Sequence, residues 1–437
     1  MWILVTIGKR TNRENFAKKI WISPPNRPCW LDCGAAIPIL NGENTPCEGT
    51  ADAGFVQDTL MDAPTLKRRR FNWVVSDYLR KGLKRYYEWS ARLKGQRYYC
   101  AALAGESEYN LTINCDLTLS CSCQDYDGSG HLGDLNKNSF QEVYFGPKAK
   151  QFRAELAQGK LPIMACTRCN DLRRTPKSTV KLEPELYAGP KPHLPNHGML
   201  LENTVRCNID CIGCDRQSAA QIRTTKQMDL DKLSKMADLV HELGLTSLYY
   251  LNLGEPFLSP NIGKEMPILR AKNPNTRIVI STNGIILNND MKREAALYAS
   301  HIFFSIAGIN DEMLKKYENY GNFEKAYANM KALAEYRNSR GLSKPILEWK
   351  YLLFNWNDRR NTIERAIEMA KAASVDAISF WPTNNPFFGT SYRYRLGMLN
   401  NVGVKTWKGR EVDLRSAEKA KSGGPLWPEP VTEAVPA

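Results

Sequence analysis

From Gly198 to Trp381 the sequence predicts an α/β fold with a parallel sheet, preceded by a small cysteine-rich α+β unit. Three observations carry this reading. After Gly198, six apolar strand-like runs alternate with stretches of helical period. All twelve cysteines lie at or before Cys214, in tight groups. Between the two patterns, residues 173–197 hold five prolines and few large apolar side chains, the composition of a linker.

The 437 residues allow two or three domains, and a hydrophobic fraction of 43% is that of a globular chain. No run reaches the roughly 18–20 apolar residues that span a bilayer. Met1–Gly8 is apolar but short, and basic residues follow it rather than precede it. We therefore expect no signal peptide, no membrane span and a cytoplasmic protein. Clustered cysteines in a long chain of this kind point to metal rather than disulfides. The net charge of +14 fits nucleic acid, an acidic or phosphorylated substrate, an acidic protein partner, or simply a solvated basic face.

Taken in chain order, residues 1–105 form a region without an assigned fold. Cys29, Cys33 and Cys47 supply only three ligands there and no nearby histidine. Residues 71–98 read as a helix, with Trp73, Tyr78, Leu79, Leu83, Tyr86, Tyr87 and Leu93 on one face. We expect that face to be core, although its mixture of aromatic and basic residues could also grip nucleic acid. Residues 106–172 form the cysteine-rich unit. Tyr109–Cys123 alternates as strands do, Asp127-Gly128-Ser129-Gly130 is a turn, and Ser139 with Glu142 is spaced as a capping box. The unit closes on Cys166-x2-Cys169. After the linker, strands are expected at Gly198–Thr204, Ser247–Leu253, Arg277–Ser281, His301–Ile306, Ile346–Phe354 and Ala377–Trp381. Helices are expected at Leu230–Leu243, at Asn322–Arg340 and around Glu364–Ala370. Residues 391–437 read as an extension and tail.

The densest chemical signal is Cys207-x3-Cys211-x2-Cys214, on the loop after the first of these strands. Three thiolates at this spacing can wrap one iron–sulfur cubane and leave one iron open for a further ligand. The pattern resembles the radical S-adenosylmethionine (SAM) superfamily, over roughly Gly198–Pro382. The resemblance implies a partial (β/α)6 barrel, a catalytic [4Fe–4S] cluster on Cys207, Cys211 and Cys214, and SAM on the open iron. It also implies reductive cleavage of SAM to a 5′-deoxyadenosyl radical.

Gly254-Glu255-Pro256, ending the second strand, is similar to the motif that meets the cofactor's methionyl ammonium. Gly lets the backbone approach, and Glu accepts hydrogen bonds from a cation. Ser281 and Asn283, ending the third strand, and Ser305, ending the fourth, match positions that hold the ribose and carboxylate. Turn chemistry alone would also explain Asn283-Gly284. Lys350 on the fifth strand either faces cofactor or substrate or snorkels outward. One departure is Gly213, where the family places an aromatic residue near the adenine; Ile212 or the sixth strand would then have to supply that contact.

Asn110–Leu172 resembles SPASM or "twitch" extensions, which carry an auxiliary [4Fe–4S] cluster. Its expected ligands are Cys121, Cys123, Cys166 and Cys169, with Cys115 in reserve. A zinc ribbon built from the same thiols is the alternative. Such extensions usually follow the radical domain, whereas here the unit precedes it. The resemblance further implies a flavodoxin or ferredoxin as electron donor and an unassigned peptide, sugar or small-molecule substrate. Two other readings stay open: a nucleic-acid-binding protein with structural metal sites, and a radical enzyme that modifies RNA.

Overall fold

The computed structural model describes residues 63–176, 187–399 and 411–413. These fall within one compact unit, Gly54–Ala437. The strands are β1 (Gln96–Cys100), β2 (Thr112–Ile113), β3 (Thr118–Ser120), β4 (His131–Asp134), β5 (Leu172–Pro176), β6 (Gly198–Leu201) and β7 (Asp210–Cys211). They continue with β8 (Ser247–Tyr249), β9 (Arg277–Thr282), β10 (His301–Ser305), β11 (Glu318–Asn319), β12 (Ile346–Leu353), β13 (Ala377–Pro382) and β14 (Glu411–Asp413).

Ten of them form one sheet, in the order β14-β13-β12-β10-β9-β8-β6-β2-β3-β4. From β6 to β13 every pairing is parallel. The six expected strands are all present. Their sequences are readable because a parallel sheet covered on its outer face needs apolar residues nearly throughout. The helices Leu230–Glu242, Phe323–Ser339 and Arg360–Ala372 stand where helical period was expected. They cover the outer face, where Trp349 and Tyr351 of β12 are fully buried.

The cysteine-rich unit continues this same sheet. β2 pairs in parallel with β6, and β3 and β4 follow antiparallel. Ser139 accepts from the Glu142 amide while the Glu142 carboxylate accepts from the Ser139 amide, the expected capping box. Residues 173–176, read as the head of a linker, instead form β5 and pair antiparallel with β1. The pairing sets Cys100 opposite Leu172 and draws the start of the unit back across residue 105.

The long helix Ala63–Leu93 also departs from expectation. Tyr78 is 77% exposed and Leu93 65%, and Leu79 and Tyr86 are exposed as well. Leu83 and Tyr87 are half-buried, and the Trp73 side chain lies outside the described residues. The face that packs inward is the other one, with Ala91 and Ser90 buried. A lone helix on the outside of a domain has only one face to bury; here its fully buried described positions are the small Ser90 and Ala91, and half-buried Tyr87 packs beside them. Cys29, Cys33 and Cys47 and the expected tail lie outside the described residues, apart from 391–399 and 411–413. Among the described residues no helix is long and apolar enough to cross a membrane.

Candidate functional site

The loop carrying the cysteine triad is fixed on both sides. Asp210–Cys211 pairs with Glu318–Asn319, the Ile212 amide donates to the Tyr317 carbonyl (2.9 Å), and the Cys214 amide donates to the Cys211 carbonyl (3.0 Å). Asn385, just past β13, donates to the Gly213 carbonyl (2.6 Å). A Cβ on Gly213 would stand 2.9 Å from the Asn385 carbonyl oxygen. The chain after the sixth parallel strand therefore fills the space in which an aromatic residue was expected.

Burial pushes the Cys207 thiol up to about 12, with the Glu255 carboxylate adding to the rise. Cys211 is raised well above the ordinary thiol range by burial, then by Glu318 and by Cys214 and Cys207 themselves. Desolvated thiols that repel one another's charge ionise only against a strong cationic partner. Iron of a cluster, bound through thiolates, suits this donor set.

Glu255 is 2% exposed and tied to the triad. Its carboxylate accepts from the Thr282 hydroxyl (2.8 Å), the Asn283 amide (2.8 Å) and the Phe257 amide (3.2 Å). The Asn283 side chain in turn donates to Asn208 (2.9 Å) and reaches the Cys207 sulfur at 3.9 Å. Burial raises Glu255 to about 7, so the carboxylate would gain from a bound cation. Gly254 is obligatory: a Cβ there would sit 1.9 Å from the Thr204 carbonyl oxygen. Pro256 opens the turn Pro256–Leu258, and its carbonyl accepts from Asn203 (3.1 Å). Thr282 was missed, although it stands between two residues the sequence singled out.

Ser281 and Ser305 meet each other, with hydroxyl oxygens 3.0 Å apart. In register with Ser305 stands Lys350, whose ammonium lies 4.5 Å from the Trp381 ring centre and 6.0 Å from that of Phe303. Along β12 the large outward residues are Trp349 and Tyr351, so Lys350 shares the inner face with Glu348. Glu348 accepts from His301 (2.9 Å) and from Ser379, and Arg277 reaches the other His301 nitrogen (3.1 Å). The inner wall of the sheet thus joins small hydroxyls, one lysine and two half-buried aromatic rings.

Beside the second cysteine group stands a thiol that the sequence reading did not single out, Cys100. Cys121 is raised by burial and then by Cys100, Cys166, Asp125 and Cys169, in that order. Cys100 is raised by burial, then by Cys169. These four thiols share one neighbourhood. The Cys123 thiol donates to Asn110 (3.2 Å) and lies beside Cys169 and Tyr126. The reserve ligand Cys115 stands elsewhere, donating to the Thr225 carbonyl (3.3 Å) among Glu202, Asp116 and Arg223. Cys100 was missed because β1 and β5 bring it to Cys169 only through pairing over a long stretch of chain. Among the described residues no three Cys, His, Asp or Glu side chains converge as ligands of a single metal ion would.

The superfamily model for radical SAM proteins matches residues 201–345, from β6 to the start of β12. The chain carries a radical SAM domain. The SPASM iron–sulfur cluster-binding domain matches residues 100–170, beginning at Cys100. A [4Fe–4S] cluster and SAM are cofactors of the radical SAM domain, and the SPASM unit brings an auxiliary iron–sulfur cluster. GTP 3′,8-cyclase of Chlorobaculum tepidum is 30% identical over 88 residues, 20% of this chain and 26% of that protein. The chain thus spans about a quarter of the length of that curated relative. Among solved structures, native anSMEcpe with bound AdoMet and Cp18Cys peptide is 17% identical, covering 43% of this chain and 51% of that one, with a TM-score of 0.32. The methyltransferase TsrM from Kitasatospora setae is 14% identical over 44% and 38% of the two chains, with a TM-score of 0.35.

Proposed function

We propose that this chain is a radical SAM enzyme acting on a peptide, sugar or small molecule bound against the inner face of the sheet. The observation that carries the reading is the linkage of Cys207, Asn283 and Glu255, which gathers three motifs distant in sequence around one place. Cys207, Cys211 and Cys214 hold the catalytic cluster. Glu255, fixed by Thr282 and Asn283, accepts the methionyl ammonium, and Gly254 and Pro256 set its approach. When bound, the cluster and SAM supply one-electron reductive cleavage to a 5′-deoxyadenosyl radical that takes hydrogen from the substrate. Ser281 and Ser305 orient the cofactor's ribose and carboxylate, and Lys350 with Trp381 borders the substrate. Cys100, Cys121, Cys166 and Cys169 hold the auxiliary cluster, with Cys123 beside them. On this reading the auxiliary domain runs from Cys100 to about residue 176 and the radical SAM domain over about 198–390.

The test is anaerobic reconstitution followed by reduction in the presence of SAM. We expect 5′-deoxyadenosine and methionine from the native protein and none from Cys207→Ala, Cys211→Ala or Cys214→Ala. Stoichiometric zinc without sulfide in the isolated protein would sink the proposal.

A further inference from the structure

The helix Ala63–Leu93 has two unlike faces. Its inner face roofs both cysteine groups. Asp77 and Arg80 line a cavity of about 180 Å³ together with Tyr126, Met164, Gly213 and Asp215. Burial raises Tyr126, and the nearby Cys214 and Cys123 add to the rise. One turn further on, the Lys84 ammonium donates to the Leu161 carbonyl, close to Cys166, whose thiol burial raises against the opposing pull of Lys84.

The outer face should be polar by ordinary patterning. It carries instead Tyr78, Tyr86, Trp89 and Leu93, each more than half exposed. At 100° per residue these four span about 80° of one stripe, opposite Arg80, Lys84 and Ala91. A stripe of this size left in water marks a contact surface. Gly82 lies in the middle of it, with nothing within 4 Å of an added Cβ, and leaves a notch between the rings. Arg85 and Arg92 flank the stripe, exposed. The acids of this stretch, Asp77 and Glu88, are half-buried and paired with Lys81 and Lys84. The face is therefore cationic as well as aromatic, and a partner must bring apolar surface ringed by carboxylates.

We propose that this outer face docks a small acidic one-electron carrier protein. The proposal rests on the radical SAM reading above, because its reason is proximity to the cysteine groups. A helix is about 10–12 Å across, so a carrier seated on Tyr78, Tyr86 and Trp89 stands one helix diameter from the cavity that Tyr126, Gly213 and Asp215 line beneath it. In the step it serves, the carrier loses one electron and an iron–sulfur cluster of this chain gains it. A single-stranded RNA could also stack on such rings, but it would draw nothing from the cysteines beneath.

The experiment uses the full chain and a reduced flavodoxin as probe. Two variants keep the inner face intact: Arg85→Glu/Arg92→Glu, which reverses charge, and Gly82→Trp, which fills the notch in open space. Binding is titrated directly, and cluster reduction is followed by electron paramagnetic resonance. We expect both variants to weaken flavodoxin binding at least tenfold and to slow flavodoxin-driven reduction in proportion, with reduction by dithionite unchanged. Rising salt should weaken the native protein's binding and leave the charge-reversed variant nearly indifferent. Native affinity and native flavodoxin-driven rates in both variants would overturn the proposal. So would loss of single-stranded RNA binding, or of self-association, while flavodoxin binding stays native. Failure of dithionite to reduce any cluster in the native protein would count against the radical SAM reading itself, and the binding titration stands apart from that result.

Discussion

Cys115, the reserve ligand, and Cys100, which spacing left aside, stand in different surroundings. Cys115 is nearer in sequence to Cys121 but spends its thiol on the Thr225 carbonyl. Cys100 arrives at the auxiliary group through strand pairing. Cys100→Ser is therefore expected to halve the iron and sulfide of the reconstituted protein, whereas Cys115→Ser leaves them unchanged; metal analysis of the two variants decides it. Beside the cysteine triad the residue that answers to charge is Glu255. Glu255→Gln should weaken SAM binding roughly 10–100-fold, the equivalent of one charge-assisted hydrogen bond of ~1.5–3 kcal/mol. Equilibrium binding checks this, and an unchanged affinity would take Glu255 out of the cofactor site. The triad, the Gly-Glu-Pro and the Asn283 turn were legible because each is compact in sequence. Thr282 and Cys100 were not, since their roles come from what the fold sets beside them.

At the scale of elements, buried parallel strands announce themselves and short ones do not. β9, β10, β12 and β13 are runs of five to eight residues with few polar interruptions. β2 and β3 have two and three residues, too few to display a period. The helix Ala63–Leu93 misled for a different reason: Tyr78, Tyr86, Trp89 and Leu93 mark a face that meets water, while the fully buried positions are the small Ser90 and Ala91. The join between β6 and the cysteine-rich unit depends on Gly198, where a Cβ would lie 1.9 Å from the Glu108 carbonyl oxygen. Gly198→Val should destabilise the protein by about 1–3 kcal/mol or more, because backbone rather than a side-chain end must yield. Thermal unfolding measures it, and a native melting temperature would show that this seam tolerates separation.

Across the whole molecule the two cysteine units share one sheet, and a buried charge pair lies at their seam. Glu202 follows β6, Arg223 approaches it at 3.5 Å, and Arg223 also donates to Asn114 of the cysteine-rich unit (2.6 Å). Burial outweighs the arginine and raises Glu202 from 4.5 to about 7. Between those values the folded protein holds a proton that the unfolded chain releases, so stability falls as pH rises from about 4.5 to 7. Glu202→Gln should flatten that slope in a series of melting curves; an unaltered slope would assign it to other groups. The parallel pairing of β2 with β6 also has a consequence for biosynthesis. A ribosome delivers Cys100 to Cys169 before any residue of β6 leaves the exit tunnel, and domains tend to fold in that order. Cys100 to Cys169 can thus be in place while the β2 edge still waits for its neighbour. Arrival of β6 closes that edge, and Cys207 follows directly behind it, so the loop of the cysteine triad is the later of the two to be assembled.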